Sequence, residues 1–201
     1  MGKSNFVLAS VVSLLTMGAL PLYAKAEPAA PKPVTVDGGK IQFTGSVVSA
    51  PCVVDNDTES QMVNLGQIAA NSLGKKGSTG SPVGFNIKLT GCDLTPPGAN
   101  PTETANYTKA SIVFNGAPAG DDSTTLSLNA NGSGESVAKN VGIQISQNNV
   151  PVKINGSTAT NSSNLHVGSN LIPFAATYVA TGDAVVAGSA NAVVNFSVNY
   201  E

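Results

Sequence analysis

Along most of the chain, apolar and polar residues take turns. Ile41, Phe43, Gly45 and Val47 occupy every second position up to Cys52, and Met62-Val63-Asn64-Leu65 repeats the pattern briefly. Val83, Phe85, Ile87 and Leu89 lead into Gly91-Cys92, and Ala110, Ile112 and Phe114 run to a stop at Asn115-Gly116. Leu126 and Leu128 make a short run. Val141, Ile143 and Ile145 are followed by Gln147-Asn148-Asn149 and then by Val152 and Ile154. The longest alternations are Ile172, Phe174, Ala176 and Tyr178, and finally Ala192, Val194, Phe196, Val198 and Tyr200. Period two sends neighbouring side chains to opposite faces, so each run predicts a strand with one buried face. Turn-forming clusters separate the runs: Thr95-Pro96-Pro97-Gly98, Ala119-Gly120-Asp121-Asp122, Asn131-Gly132-Ser133-Gly134 and Asn155-Gly156. No segment carries a sustained helical stripe, and Asn71 to Leu73 opens a short helix at most. Many short strands with regular turns predict an all-β sandwich or barrel.

The first residues follow a different pattern. Lys3 starts a short basic region, Phe6 to Leu22 is almost wholly apolar, and Ala24-Lys25-Ala26 has the small-x-small form of a cleavage site. Together these predict a secretory signal peptide over residues 1–26, cut at Ala24 or Ala26. The stretch is shorter than the ~20 residues a membrane span needs, and Ser10, Ser13 and Thr16 dilute it. The mature protein is expected to begin near Glu27, outside the cytoplasm. Glu27 to Pro33 is a Pro/Ala tether without core-forming residues.

Composition narrows the chemistry. Charged residues make up 11 % of the chain, against roughly 25 % in ordinary soluble domains. All basic residues are lysines; without Lys3 and Lys25 eight remain against twelve Asp and Glu, a net charge of −4. That balance argues against nucleic acid, which wants a basic face. Cys52 and Cys92 are the two cysteines, and in an oxidising compartment such a pair reads as a disulfide. Two Cys and one His are too few ligands for a zinc site. His166, between Leu165 and Val167, reads as a surface-strand residue. No nucleophile elbow, zinc-protease helix or P-loop occurs. Asp55-Asn56-Asp57-Thr58-Glu59 lacks the mid-loop Gly and the spaced Glu of a calcium loop, so it reads as a solvated turn. The residues therefore predict no enzyme, no cofactor and no metal.

One ordered set of segments is more specific. From Val34 onward the chain reads VTVDGGKIQFTGSVVSAPCVVDNDTESQMVNLGQI; SPVGFNIKLTGCD, NVGIQI, NLIPFAATYVATGDAVVAG and the terminal ANAVVNFSVNYE follow. This set strongly resembles the major subunits of type 1 fimbriae, in the chaperone–usher pilin family. The resemblance covers essentially all of the chain after the signal peptide. It implies an incomplete immunoglobulin-like β-sandwich that lacks its last strand and is completed by donor-strand exchange. A periplasmic chaperone first fills the resulting groove; at an outer-membrane usher, the N-terminal extension of the next subunit replaces it. Such strand addition takes affinity from backbone hydrogen bonds and register from alternate side-chain pockets.

The resemblance also assigns residues. Residues 27–45 become an N-terminal extension, and 46–201 the sandwich domain. Val34 to Phe43 matches the donor strand, with Gly38-Gly39 as its glycine site. Two registers are open: Val34, Val36 and Gly38 inward, or Gly39, Ile41 and Phe43 inward; a bulge at the glycine pair would join both. Cys52 and Cys92 match the family disulfide. Gly188 and Tyr200 match the C-terminal signature read by the chaperone, on a groove edge formed with Val194, Phe196 and Val198; the Glu201 carboxylate is expected to be available to it. The expected partners are other copies of the chain, the chaperone, the usher and minor or tip pilins, in a cell-surface fimbrium supporting bacterial adhesion. A shaft subunit is the main reading. A minor adaptor pilin of the same fibre is one alternative, and a secreted carbohydrate-binding sandwich module is another, though it would want surface Trp and this chain has none.

Overall fold

The computed structural model describes residues 30–95, 106–130, 132 and 134–201. The expected signal peptide and parts of the turns expected near residues 95–98 and 131–134 lie outside them. The chain divides into two compact units, Met1–Gly45 and Ser46–Glu201.

In the second unit, eleven strands form among the described residues: β1 Val53–Val54, β2 Val83–Cys92, β3 Lys109–Gly116, β4 Pro118–Ala119, β5 Asp122–Leu126 and β6 Val141–Gln147. They continue with β7 Val150–Pro151, β8 Asn155–Ala159, β9 Ser163–Asn164, β10 Gly168–Ala180 and β11 Val194–Tyr200. The larger sheet runs β1-β2-β10-β6-β5-β4 with β7 beside β6, and the smaller runs β11-β3-β8 with β9 beside β3. Every strand pairing is antiparallel. The inward faces meet in one core, where Phe114 of β3 stands edge-on to Phe174 of β10 at 5.2 Å. Ile87, Leu89, Ile112, Ile154 and Ile172 fill the rest and are almost fully buried. A smaller cluster around Leu73, Val141 and Ala180 closes one end, under a 3-10 turn at Ala70–Leu73.

The long alternating runs became strands where expected, because each found a neighbour for its backbone. Several short ones did not. Met62–Leu65 is in no strand, and none forms over residues 30–49, including the run from Ile41 to Val47. Alternation supplies a face, but a ladder also requires a partner edge. Val152 and Ile154 are buried between β7 and β8 without belonging to either. Asn155-Gly156 opens β8 instead of turning the chain; the Asn155 side chain accepts from Ser157 N (3.1 Å) and Thr158 N (2.9 Å), and Gly156 takes up the kink at φ 71°. Asp55–Glu59 is a short helix, α1 (Asn56–Glu59), capped by Asp55. Thr58 is buried and its hydroxyl accepts from Lys88 N at 3.2 Å. Asp55 also pairs with Lys88 at 3.0 Å, and that contact holds its carboxyl below the usual range. His166 lies between β9 and β10 and not on a strand.

Candidate functional site

The smaller sheet ends at β11, which pairs with β3 on one side and, among the described residues, with no strand on the other. Its residues alternate between half-buried and exposed: Val194, Phe196, Val198 and Tyr200 turn inward but are only half covered. In a closed sandwich such an apolar row would be buried by the next strand. Here its first half, Val194 and Phe196, borders a groove of about 640 Å³, with Phe85, Ile87, Phe114 and Ile145 among its other lining residues. Phe114 joins the row through Phe196 (6.5 Å between rings), and Phe174 joins Phe114 to Phe85 (5.7 Å from Phe174).

The groove continues into a second section of about 940 Å³. Val63 and Leu65 line both sections, as do Ala192 and Val193. One wall is thus the segment 60–68, and the other is 185–193 followed by β11. The second wall is bound to the rest of the domain by backbone hydrogen bonds: Val186 exchanges two with Lys139 (3.1 Å each), and Ser189 reaches Ser136 and Ala138 (2.8 and 2.9 Å). Gly188 sits within this zipper. A methyl group there would come within 2.5 Å of Ser136 O and Ala138 N. Its local role is to let two backbones touch.

Two tyrosine hydroxyls reach the rims. Tyr200 donates to Cys52 O at 3.2 Å, and Tyr178 donates to Gly66 O at 3.1 Å. Burial raises both phenols above the ordinary tyrosine range, so both are protonated donors at neutral pH. Cys52 and Cys92 form the disulfide, both buried, with Asn170 Nδ2 donating to Cys92 Sγ at 3.2 Å. The main-chain oxygen of Glu201 accepts from Thr108 N (2.6 Å) and Lys109 N (3.0 Å). That oxygen is engaged at the start of β3, while the residue itself is exposed.

The sandwich is thus left open at one apolar edge, and known proteins share its family and fold. A sequence-family model described as "Fimbrial protein" matches residues 41–201. The chain belongs to the fimbrial protein family. The type-1 fimbrial protein A chain of Escherichia coli is 38 % identical over 194 residues, which is 94 % of this chain and 97 % of that protein. The fimbrial subunit type 1 of Klebsiella pneumoniae is 37 % identical over 192 residues, with the same coverage of 94 % and 97 %. Among solved structures, the P pilus rod subunit PapA superposes with a TM-score of 0.63 at 24 % identity, over 76 % of this chain and 100 % of that one. A chaperone–usher pilus subunit, from a structure addressing rod uncoiling, gives 0.66 at 26 % identity, over 86 % and 100 %. The fimbrial protein thus has the incomplete immunoglobulin-like fold of pilins, and its family is a structural one built into cell-surface fimbriae.

The fimbrial protein's residues 34–43 stand differently from the groove residues. Val34, Val36, Ile41 and Phe43 are 83 %, 79 %, 79 % and 89 % exposed, and no strand includes them. Gly39 has φ 93° and donates to Asp37 Oδ1 at 3.1 Å, so the chain bends at the glycine pair. Val194, Phe196, Val198 and Tyr200 are brought together on one edge; Gly188 stands further along the same wall. Sequence reasoning missed the 60–68 wall and the part played by Tyr178. The wall's Val63 and Leu65 looked like a strand, and nothing local marks a tyrosine whose acceptor lies 112 residues away.

Proposed function

We propose that this fimbrial protein is the shaft subunit of a chaperone–usher fimbria, polymerising by donation of residues 34–43 into the groove of the next copy. The observation that carries the proposal is the half-covered row Val194, Phe196, Val198 and Tyr200 on an unpaired strand edge. The occupant this edge suits is an alternating apolar strand. The chain carries one that its own sheets do not use, and its four large side chains are at least 79 % exposed. Burying them contributes roughly 1.5–3 kcal/mol each, and edge hydrogen bonds about 1 kcal/mol each. The total is on the order of 10 kcal/mol before the entropy of ordering is subtracted. That suffices for stable non-covalent contacts. Until the strand arrives, an exposed apolar edge is an aggregation hazard, which accounts for a periplasmic chaperone as first partner and an outer-membrane usher as the site of exchange. Minor and tip pilins complete the fibre.

Supplying subunit variants with chaperone and usher, then measuring fibre length by electron microscopy, tests this. Deleting residues 34–43 should leave a subunit that is captured but adds to no fibre; normal fibres from the deletion overturn the donor-strand account. A Cβ added at Gly38 meets no atom within 4 Å in the free subunit, so loss of polymerisation in Gly38→Leu, with capture by the chaperone unchanged, points to a clash in the groove. Gly38→Leu and Gly39→Leu should differ, because strand neighbours face opposite ways. In cells, removing the chain should abolish the whole fibre; loss of the tip alone would mark an adaptor.

A further inference from the structure

The two walls of the groove are held very differently. The wall at 185–193 is zipped to residues 136–139 by backbone hydrogen bonds. The wall at 60–68 belongs to no strand. Gly66 N is used locally by Asn64 Oδ1 (2.9 Å), and Gln61 N turns back to Thr58 O. Among the described residues, the hydrogen bond tying this wall to the sheets comes from Tyr178 Oη. Tyr178 lies on β10, opposite Ile143 of β6, and its half-buried ring lines the groove between the walls.

We propose that Tyr178 is a positioning residue for strand uptake: its hydroxyl holds the 60–68 wall at a fixed distance from the groove floor, keeping the groove shaped for a strand from a second copy of this chain. Val63 and Leu65 of that wall line both sections of the groove, so their placement decides how well an incoming strand is covered. Leu65 and Ile68 also pack this wall on the core, but its hydrogen bond to the sheets is a single side-chain donor near its middle, so the wall can shift without disturbing the ladders of β2, β6 and β10. Losing the hydroxyl therefore loosens the grip on the occupant while leaving the sandwich intact. A pre-shaped site spends less of its binding energy on ordering itself, and that difference appears mainly in the rate of release.

This inference rests on the strand-accepting reading of the groove. Its test uses Tyr178→Phe, which keeps the ring and removes the hydroxyl, with Tyr200→Phe as a control at another point of the rim. In the secreted subunit, the distance distribution between spin labels at Asn64 and Lys139 should broaden in Tyr178→Phe only, while amides of β2, β6 and β10 stay protected and the urea midpoint stays near that of the parent. In assembled fibres, the variant should release subunits in denaturant several-fold faster. An unchanged distance distribution, or unchanged release, overturns the role of Tyr178. A general fall in protection overturns it too, since the residue would then be acting on the core. The spin-label measurement needs no donor strand, so its outcome is separate from the deletion of residues 34–43 that tests the underlying reading.

Discussion

Gly188 shows how a single residue acts through what it lacks. Its Cα faces backbone atoms of Ser136, Val137 and Ala138 so closely that a methyl group would lie 2.5–2.7 Å from them. Backbone atoms move less readily than side-chain ends, so Gly188→Ala should force the wall off residues 136–138. The expected cost is about 2–3 kcal/mol, read from the urea midpoint, with the zipper's amides losing protection first. Asp122 supplies a titration. Its carboxylate accepts from the Thr124 hydroxyl (2.7 Å), Thr124 N (2.9 Å) and the Thr125 hydroxyl (2.8 Å), and these bonds hold it below the ordinary Asp range, the Thr124 hydroxyl most strongly. A lowered folded value means that its contribution is fully present above the unfolded value of about 4 and fades as pH falls through the folded one. Stability measured from pH 6 downward should fall less steeply in Asp122→Asn than in the parent. An equal slope would assign the acid limb to other carboxylates.

At the scale of elements, the hairpin from β6 to β7 is the most local structure in the fold. Gln147 pairs with Val150, leaving Asn148 and Asn149 as a two-residue loop, both with positive φ (51° and 64°). That is the handedness that matches the twist of flanking strands, and Asn tolerates it better than other side chains. Asn149→Gly should be neutral or slightly stabilising, and Asn149→Val should cost about 1–2 kcal/mol; thermal unfolding of the pair checks the difference. The edge strand β11 is the contrasting element. Its conformation is supported by β3 alone, from Val194↔Gly116 to Tyr200↔Ala110. Its outer backbone edge has no strand partner among the described residues. Its amides should therefore exchange faster than those of β10, which has neighbours on both sides. The gap should close once a strand is bound.

For the molecule as a whole, the disulfide and Tyr200 act at the same corner. Cys52 and Cys92 bracket the course from just before β1 to the end of β2, a separation of 40 residues. Constraining a loop of that length in the unfolded chain stabilises the fold by roughly 4 kcal/mol in the chain-entropy model. Tyr200 then ties the edge strand of the smaller sheet to Cys52 O, in front of the larger one. Replacing both cysteines by serine should lower stability by about that 4 kcal/mol and should also free the Tyr200 end of β11. Hydrogen exchange at 198–200 in the double variant separates the two effects: exchange that rises only with global unfolding would mean that the corner holds without the bond.

Much of this fold was legible from local pattern. β2, β3, β6, β10 and β11 were readable because alternation over many residues records a buried face wherever the strand is placed. The cysteine pair was readable because its chemistry needs no knowledge of path. The row Val194, Phe196, Val198 and Tyr200 was also visible, since neighbours on one strand share a face by period alone. What alternation does not record is whether a partner exists. Met62–Leu65 and Ile41–Val47 have the pattern of strands and form none in this chain, while Asn155-Gly156 looks like a turn and opens one. The shape of the groove depended on contacts between residues far apart in sequence: Gly188 on residues 136–138, Tyr178 on Gly66 across 112 residues, and Tyr200 on Cys52 across 148. Local sequence determines which faces are apolar. Only the packing of distant segments decides which of those faces is left uncovered, because covering one takes an edge from elsewhere in the chain.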